Sequence, residues 1–127
     1  REQTLNQMLV EGQMEGSAYM GFAEAIFEHQ VMKRGDPEGG LHDAPSLLDY
    51  RLPTSLDCPD FVALVVEAAD PEGPYGAKEA GEGPLHPSLP AIANAIYDAL
   101  GIRFTDMPLS AEKIYLALQA KENLSAD

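Results

Sequence analysis

Residues 5–29 carry the pattern that most constrains the fold of this chain. Apolar or small residues recur there at three- and four-residue spacing, the spacing of one face of an α-helix: Leu5, Met8, Leu9, Gly12, Gly16, Met20, Ala23 and Phe27. The pattern predicts a long amphipathic helix. Residues 88–100 predict a second, apolar helix with Gly101 as its C-cap, and Ser110 is the predicted N-cap of a last helix.

Other segments favour extended structure. Residues 61–68 (FVALVVEA) form a β-branched apolar run of strand length, and residues 103–107 are a candidate for a short strand. Residues 35–40 (GDPEGG) predict a turn between short extended pieces. The predicted fold class is therefore α+β, a single domain over residues 1–127 with a long N-terminal helix, a short mixed sheet and two further helices.

The composition excludes several classes of function. The chain has 127 residues, 21 acidic and 8 basic, and a net charge of −13, which argues against binding nucleic acid or an anionic membrane. Charged residues interrupt every apolar stretch before it could span a bilayer. The one cysteine, Cys58, cannot form an internal disulfide, which favours a reducing compartment such as the cytoplasm. Because the chain begins with Arg1, we expect it to be processed, trimmed or part of something longer.

The loop over residues 73–85 (GPYGAKEAGEGPL) is the first candidate for chemistry. Its glycines allow the backbone to come close to another group, and Glu82 lies between Gly81 and Gly83. Desolvation would raise the pKa of such a carboxyl and suit it to general-base catalysis, whereas the N-terminus of the following helix would favour the anion. The alternative is a solvated surface loop without chemistry.

The second candidate is the pair of glycines inside the first predicted helix. Gly12 and Gly16 each cost roughly 1 kcal/mol relative to alanine in a helix interior. Close helix packing or a ligand against the backbone would offset this cost. Gln13 has both a donor and an acceptor, so it can recognise the edge of a planar heterocycle.

No metal-ligating residues are predicted. The histidines, His29, His42 and His86, are far apart and lack the spacing of a zinc site. Cys58 has no neighbouring His or Lys to activate its thiol.

Four segments, in order along the chain, resemble one protein family. They are VEGQMEGS at residues 10–17, LLDYRLPT at 47–54, DPEGPYGAKEAGEGPL at 70–85 and AIANAIYDA at 91–99. Together they are similar to the C-terminal part of the molybdenum-binding subunit of the molybdenum hydroxylases, the xanthine dehydrogenase and aldehyde oxidase family. The resemblance implies a molybdopterin-dependent oxidoreductase that acts on a small molecule, such as an aromatic, purine, aldehyde or aryl-CoA substrate.

The resemblance also implies roles for individual residues. Glu82 corresponds to the catalytic glutamate, which acts as a base beside the molybdenum. Gln13 corresponds to a glutamine near the pyranopterin, where Gly12 and Gly16 would let the cofactor approach. The wall of the metal site would be formed by Gly76, Ala77 and Lys78.

Cofactors and partners follow from the same resemblance. We expect a molybdenum–molybdopterin cofactor in its cytosine dinucleotide form, with FAD and [2Fe–2S] clusters on partner subunits or domains. The remainder of the molybdenum subunit would be the first partner, since the family's subunit is several times longer than this chain. We therefore expect the isolated chain to be inactive.

The sequence also departs from the common family pattern. Many members have Gly-x-Gly-Glu-Pro-Pro where residues 79–84 are EAGEGP, and the KEA at residues 78–80 looks more like the 4-hydroxybenzoyl-CoA reductase branch. The acidic chain would leave CoA phosphates to be bound elsewhere.

The alternative function is a stand-alone binding or assembly module derived from the domain, without catalysis.

Overall fold

Three α-helices form the regular structure of this protein. The computed structural model describes residues 4–33, 35 and 40–125. Within them, α1 spans Gln7–Ile26, α2 spans Leu85–Leu100 and α3 spans Ala111–Ser125, with a 3-10 turn at Pro74–Gly76. The three predicted helices are confirmed, although α1 is shorter than residues 5–29 and α2 begins before Ser88.

The helix ends show how the local sequence defines these elements. At the start of α1, the Leu9 N–H donates to Asn6 Oδ1 at 3.0 Å, so Asn6 is the N-cap. Gly101 ends α2 in the left-handed conformation (φ 63°) and donates its N–H to Tyr97 O at 2.7 Å, which confirms the predicted C-cap. Ser110 Oγ accepts the Lys113 N–H at 3.3 Å, as expected for the N-cap of α3.

The prediction of a mixed sheet is wrong for the described residues, and the predicted α+β fold class is therefore wrong as well. Neither residues 61–68 nor residues 103–107 form a strand, and extended pairing is limited to one antiparallel bridge between Met32 and His42. No backbone N–H of residues 61–68 donates to a backbone carbonyl in the described part of the chain. Local β propensity does not make a strand when no neighbouring backbone pairs with it. Residues 36–39 of the predicted turn lie outside the described residues.

Helices α1 and α2 are packed at very short range through a glycine. Gly21 of α1 is buried, and a Cβ atom there would lie 2.5 Å from Ser88 Cβ and 2.8 Å from the carbonyl oxygen of Leu85. The contact places the first turn of α2, and the loop that leads into it, directly against α1.

This contact predicts opposite effects for two glycine substitutions. We expect Gly21→Ala to lower the free energy of unfolding by about 1–3 kcal/mol, because the methyl group overlaps atoms of α2. Gly16→Ala is the matched control. It should raise stability by up to about 1 kcal/mol, because alanine favours the helix and nothing lies within 4 Å of the new atom. Urea unfolding followed by circular dichroism measures both. Equal stabilities would contradict the close α1–α2 contact.

Three further hydrogen bonds hold other segments against α1 and the residues that follow it. The Leu109 N–H donates to Ala25 O at 2.6 Å, and the Leu109 side chain is fully buried just before α3. Tyr19 donates its hydroxyl to Pro53 O at 2.9 Å. Tyr50 donates to Glu28 Oε2 at 2.7 Å, and this hydrogen bond raises the pKa of Tyr50 above its usual value.

Much of the apolar surface stays uncovered. The accessible surface is 9939 Å², whereas a compact protein of this mass exposes roughly 6,600 Å². The buried residues of the described chain are Ser17, Gly21, Ala23, Ala25, Pro53 and Leu109. In the segment predicted as a strand, Val62, Leu64 and Val66 are 79%, 76% and 91% exposed. The described residues therefore do not build a core that covers their apolar side chains.

Candidate functional site

One side of α1 is uncovered by the described chain, and we call it the bare face. A Cβ atom added at Gly12 or Gly16 would meet nothing within 4 Å. Gln13 is exposed beside them, and the face also includes the exposed side chains of Leu9 and Met20. Packing against the described residues therefore does not account for the two glycines. The face leaves room for a ligand or another polypeptide segment against the helix backbone.

The Glu82 loop is held by hydrogen bonds to its backbone. The carbonyl oxygen of Glu82 accepts the Leu85 N–H at 3.1 Å, and His86 Nδ1 lies 3.2 Å from the same oxygen. The Gly81 N–H donates to Glu79 Oε2 at 2.9 Å. The Glu82 side chain is exposed and makes no hydrogen bond with the described residues. Its carboxylate is therefore available to an incoming group while its backbone is fixed.

A buried serine ties this loop to α1. Ser17 donates its hydroxyl to the carbonyl oxygen of Gly81 at 2.7 Å, across 64 residues of sequence. Ser17 is 8% exposed. The residue that precedes Glu82 is thus hydrogen-bonded to the same helix that carries the bare face.

A groove of about 410 Å³ runs along the other side of α1. Val10 and Met14 of α1 form part of one wall, and Gly76, Ala77 and Lys78 belong to the loop side. The remaining lining residues come from three segments: Thr4, Leu5, residues 64–69, Tyr75, Glu79 and Ala80. Ala80, the last of these lining residues along the chain, lies two positions before Glu82 in the sequence.

Two backbone features shape the loop wall of the groove. Tyr75 and Gly76 both have left-handed conformations (φ 56° and 77°), and the Asp70 N–H donates to Gly76 O at 3.1 Å. A Cβ atom at Gly76 would lie 2.9 Å from Ala69 Cβ, so glycine is needed there for the close approach. At one end of the groove, hydrogen bonds from Thr4 to Glu67 lower the pKa of the Glu67 carboxyl.

The structure brings some of the predicted site residues together and separates others. Residues 76–78 lie in the groove, and Glu82 follows it along the same loop. Gly12 and Gly16 lie on a different side of α1 from the two helix residues that line the groove. Residues four apart share a helix face, whereas residues two apart do not. The described chain thus places the Glu82 loop and the bare face on two sides of one helix.

Sequence reasoning missed three residues of this region. Ser17 closes the segment VEGQMEGS and has no predicted role, although it lies on the same buried face of α1 as Gly21, four residues further on. Tyr75 adopts a conformation usually reserved for glycine. His86 has no predicted role, yet its ring lies against the backbone of Glu82.

Among the described residues, no three His, Cys, Asp or Glu side chains are grouped so that they could hold a metal ion. None of the described helices combines the length and apolar character that crossing a membrane requires.

Known proteins match this chain along most of its length. Residues 3–59 match a family described as a molybdopterin cofactor-binding domain. A xanthine dehydrogenase molybdenum-binding subunit of Escherichia coli is 38% identical over 111 residues, which cover 87% of this chain and 14% of that subunit. The carbon monoxide dehydrogenase large chain of Hydrogenophaga pseudoflava is 30% identical over 118 residues, covering 91% of this chain and 14% of that one.

A solved structure agrees with these matches. The crystal structure of the Cu,Mo carbon monoxide dehydrogenase in its carbon monoxide reduced state superposes with a TM-score of 0.73 at 29% identity. The superposition covers 95% of this chain and 15% of the solved one.

Fold and matches together define a molybdopterin cofactor-binding domain. More particularly, the chain is homologous to the xanthine dehydrogenase and carbon monoxide dehydrogenase large chains, which are molybdenum hydroxylases. The resemblance inferred from the sequence is therefore confirmed. The chain spans 14% of the length of these two relatives.

Proposed function

We propose that this chain supplies the catalytic base and part of the pterin site of a molybdopterin-dependent oxidoreductase. The observation that carries the proposal is Glu82, an exposed carboxylate on a loop whose backbone is hydrogen-bonded at Gly81 and at Glu82 itself. Homology to molybdenum hydroxylases supports the same reaction class. The rest of the catalytic site would come from parts of the enzyme that this chain does not contain.

The bare face of α1 fits a flat cofactor. Because no atom stands over Gly12 and Gly16, a ligand can reach the helix backbone there, and the exposed amide of Gln13 offers a donor and an acceptor. Molybdopterin would be held by these three residues. Gly76, Ala77 and Lys78 would form part of the wall of the metal site.

The chemistry assigned to this chain is proton transfer. When bound, the molybdenum centre would supply two-electron redox chemistry. Glu82 would accept a proton at a carboxylate oxygen as general base, a role that contributes about 10²–10⁴-fold in rate. The hydrogen bonds at Gly81 and Glu82 O hold the backbone while the side chain reaches the reacting group.

Several finer features of the enzyme belong to the same proposal. The cofactor would carry the cytosine dinucleotide form, and FAD and [2Fe–2S] clusters would reside on partner subunits or domains. Cys58, the one cysteine of the chain, cannot ligate an iron–sulfur cluster alone. A reducing compartment, the cytoplasm, suits such an enzyme.

The substrate would be a small molecule with an electrophilic carbon, of the purine, aldehyde, aromatic or aryl-CoA classes. The sequence KEA at residues 78–80 is the feature that favours the 4-hydroxybenzoyl-CoA reductase branch. The relatives described above are named for xanthine and carbon monoxide. We therefore favour the purine, aldehyde and aromatic classes over the aryl-CoA class.

The proposal predicts where molybdenum is found. The isolated 127-residue chain should retain no molybdenum through gel filtration, because α1 and the groove enclose only part of a cofactor. The assembled molybdenum-binding subunit that contains this chain should hold it stoichiometrically. Elemental analysis and pterin fluorescence of both preparations test this. Stoichiometric metal in the isolated chain would contradict the need for other segments, and an assembled subunit without metal would favour the non-catalytic assembly module.

A further inference from the structure

We propose that Ser17 is a positioning residue for Glu82. The inference rests on the proposed function, since it assigns Ser17 a role only if Glu82 is the base. Ser17 touches neither substrate nor cofactor in this role. It acts through the backbone of Gly81, the residue that precedes Glu82.

The first argument is the geometry of the contact. Ser17 Oγ lies 2.7 Å from Gly81 O, within the normal range for an O–H···O hydrogen bond. Ser17 is the buried polar side chain of the described chain, at 8% exposure. A buried hydroxyl without a partner is unfavourable. The carbonyl oxygen of Gly81 provides the acceptor that the Ser17 hydroxyl needs.

The second argument is that the other hydrogen bonds of the loop are local. Gly81 is bonded to Glu79, and the carbonyl of Glu82 to Leu85 and His86, all within four residues. These contacts join the loop to itself and to the start of α2, which packs against α1 at Gly21. Among the described residues, the Ser17 bond is the hydrogen bond that joins residues 79–84 directly to α1.

The third argument concerns what this link connects. Ser17 follows directly after Gly16 of the bare face, and Gly81 directly precedes Glu82. One hydrogen bond thus links the residue before the carboxylate directly to the helix that would hold the pterin. Since displacement of a catalytic group by about 1 Å can lower a rate by about 10²-fold, the bond affects turnover without taking part in the chemistry.

The test compares Ser17→Ala with Ser88→Ala in the assembled enzyme. Ser88 is a matched control, because its hydroxyl also bonds a backbone carbonyl near the loop, Pro84 O at 2.9 Å, but within the first turn of α2. We expect Ser17→Ala to lower kcat by about 10- to 100-fold with KM and molybdenum content unchanged. Amide hydrogen exchange of residues 79–84 should become roughly 2- to 10-fold faster, the range of one net hydrogen bond. Ser88→Ala should change neither quantity.

Conservative variants separate positioning from general stability. Ser17→Thr retains the hydroxyl and should restore much of kcat and of the protection from exchange. If the added methyl group prevents folding, Ser17→Cys keeps the size with a weaker donor and should give intermediate values. Wild-type kcat and wild-type exchange in Ser17→Ala would overturn the inference. If Glu82→Gln left turnover intact, the proposed function would fail first. Loss of turnover in Glu82→Gln together with wild-type kcat in Ser17→Ala would reject only the role of Ser17.

Discussion

Glu82→Gln should abolish most turnover of the assembled enzyme while leaving folding and molybdenum content near normal. The amide has the size of the carboxylate and no basicity, so only the proton-accepting role is removed. The expected loss in kcat is about 10²–10⁴-fold, the usual contribution of a general base. Because the side chain makes no hydrogen bond with the described residues, we expect little change in unfolding temperature. Steady-state kinetics and elemental analysis on one preparation measure both effects.

Glu79→Gln is the matched control for this substitution. Glu79 lies in the same loop, and its Oε2 accepts the Gly81 N–H at 2.9 Å. The glutamine retains an amide oxygen that can accept this bond, so the loop should keep its shape and most of its activity. Equal activity of Glu82→Gln and the parent enzyme would make Glu82 a structural residue. An equal loss in both variants would assign the effect to loop charge rather than to one base.

Gly16→Val should lower molybdenum occupancy of the assembled subunit far more than it lowers stability. In the described chain, nothing lies within 4 Å of a Cβ atom at Gly16, and valine is intrinsically better than glycine in a helix by a few tenths of a kcal/mol. The helix should therefore tolerate the change. The isopropyl group would instead occupy the space through which a cofactor reaches the backbone. We expect loss of most of the bound metal, measured per folded molecule.

A valine on another face of α1 is the control. Glu15→Val introduces the same side chain one residue away, at an exposed position that does not share the bare face. It should leave molybdenum content unchanged. A large fall in melting temperature with full molybdenum per folded Gly16→Val molecule would show that another polypeptide segment, rather than the cofactor, packs on Gly16.

Local sequence signals were sufficient for the helices and for the family. The periodicity of residues 5–29, the C-cap at Gly101 and the N-cap at Ser110 are all readable from neighbouring residues, and the structure confirms them. The four ordered segments predicted the resemblance to the molybdenum hydroxylases, because several motifs in the same order are more specific than any one of them. The comparisons confirm that assignment.

Features that depend on distant residues were not predictable in the same way. Residues 61–68 have strand composition, but a strand also requires a partner backbone, and none of the described residues provides one. The contact between Ser17 and Gly81 spans 64 residues, and no local pattern indicates it. The apolar spacing of α1 predicts an amphipathic helix, yet Leu9 and Met20 of its apolar face are exposed. Their burial depends on what lies opposite the helix.

The large exposed apolar surface of the chain has a colloidal consequence. With a net charge of −13, separate copies repel one another at neutral pH and low salt, and this repulsion opposes contact between Val62, Leu64, Val66 and similar side chains. Salt shortens the range of the repulsion to about 10 Å at 0.1 M and about 3 Å at 1 M. Acidification towards the isoelectric point, near pH 4.4, removes the repulsion because it neutralises the net charge. When handled alone, the chain is therefore kept dispersed by its charge rather than by a covered core.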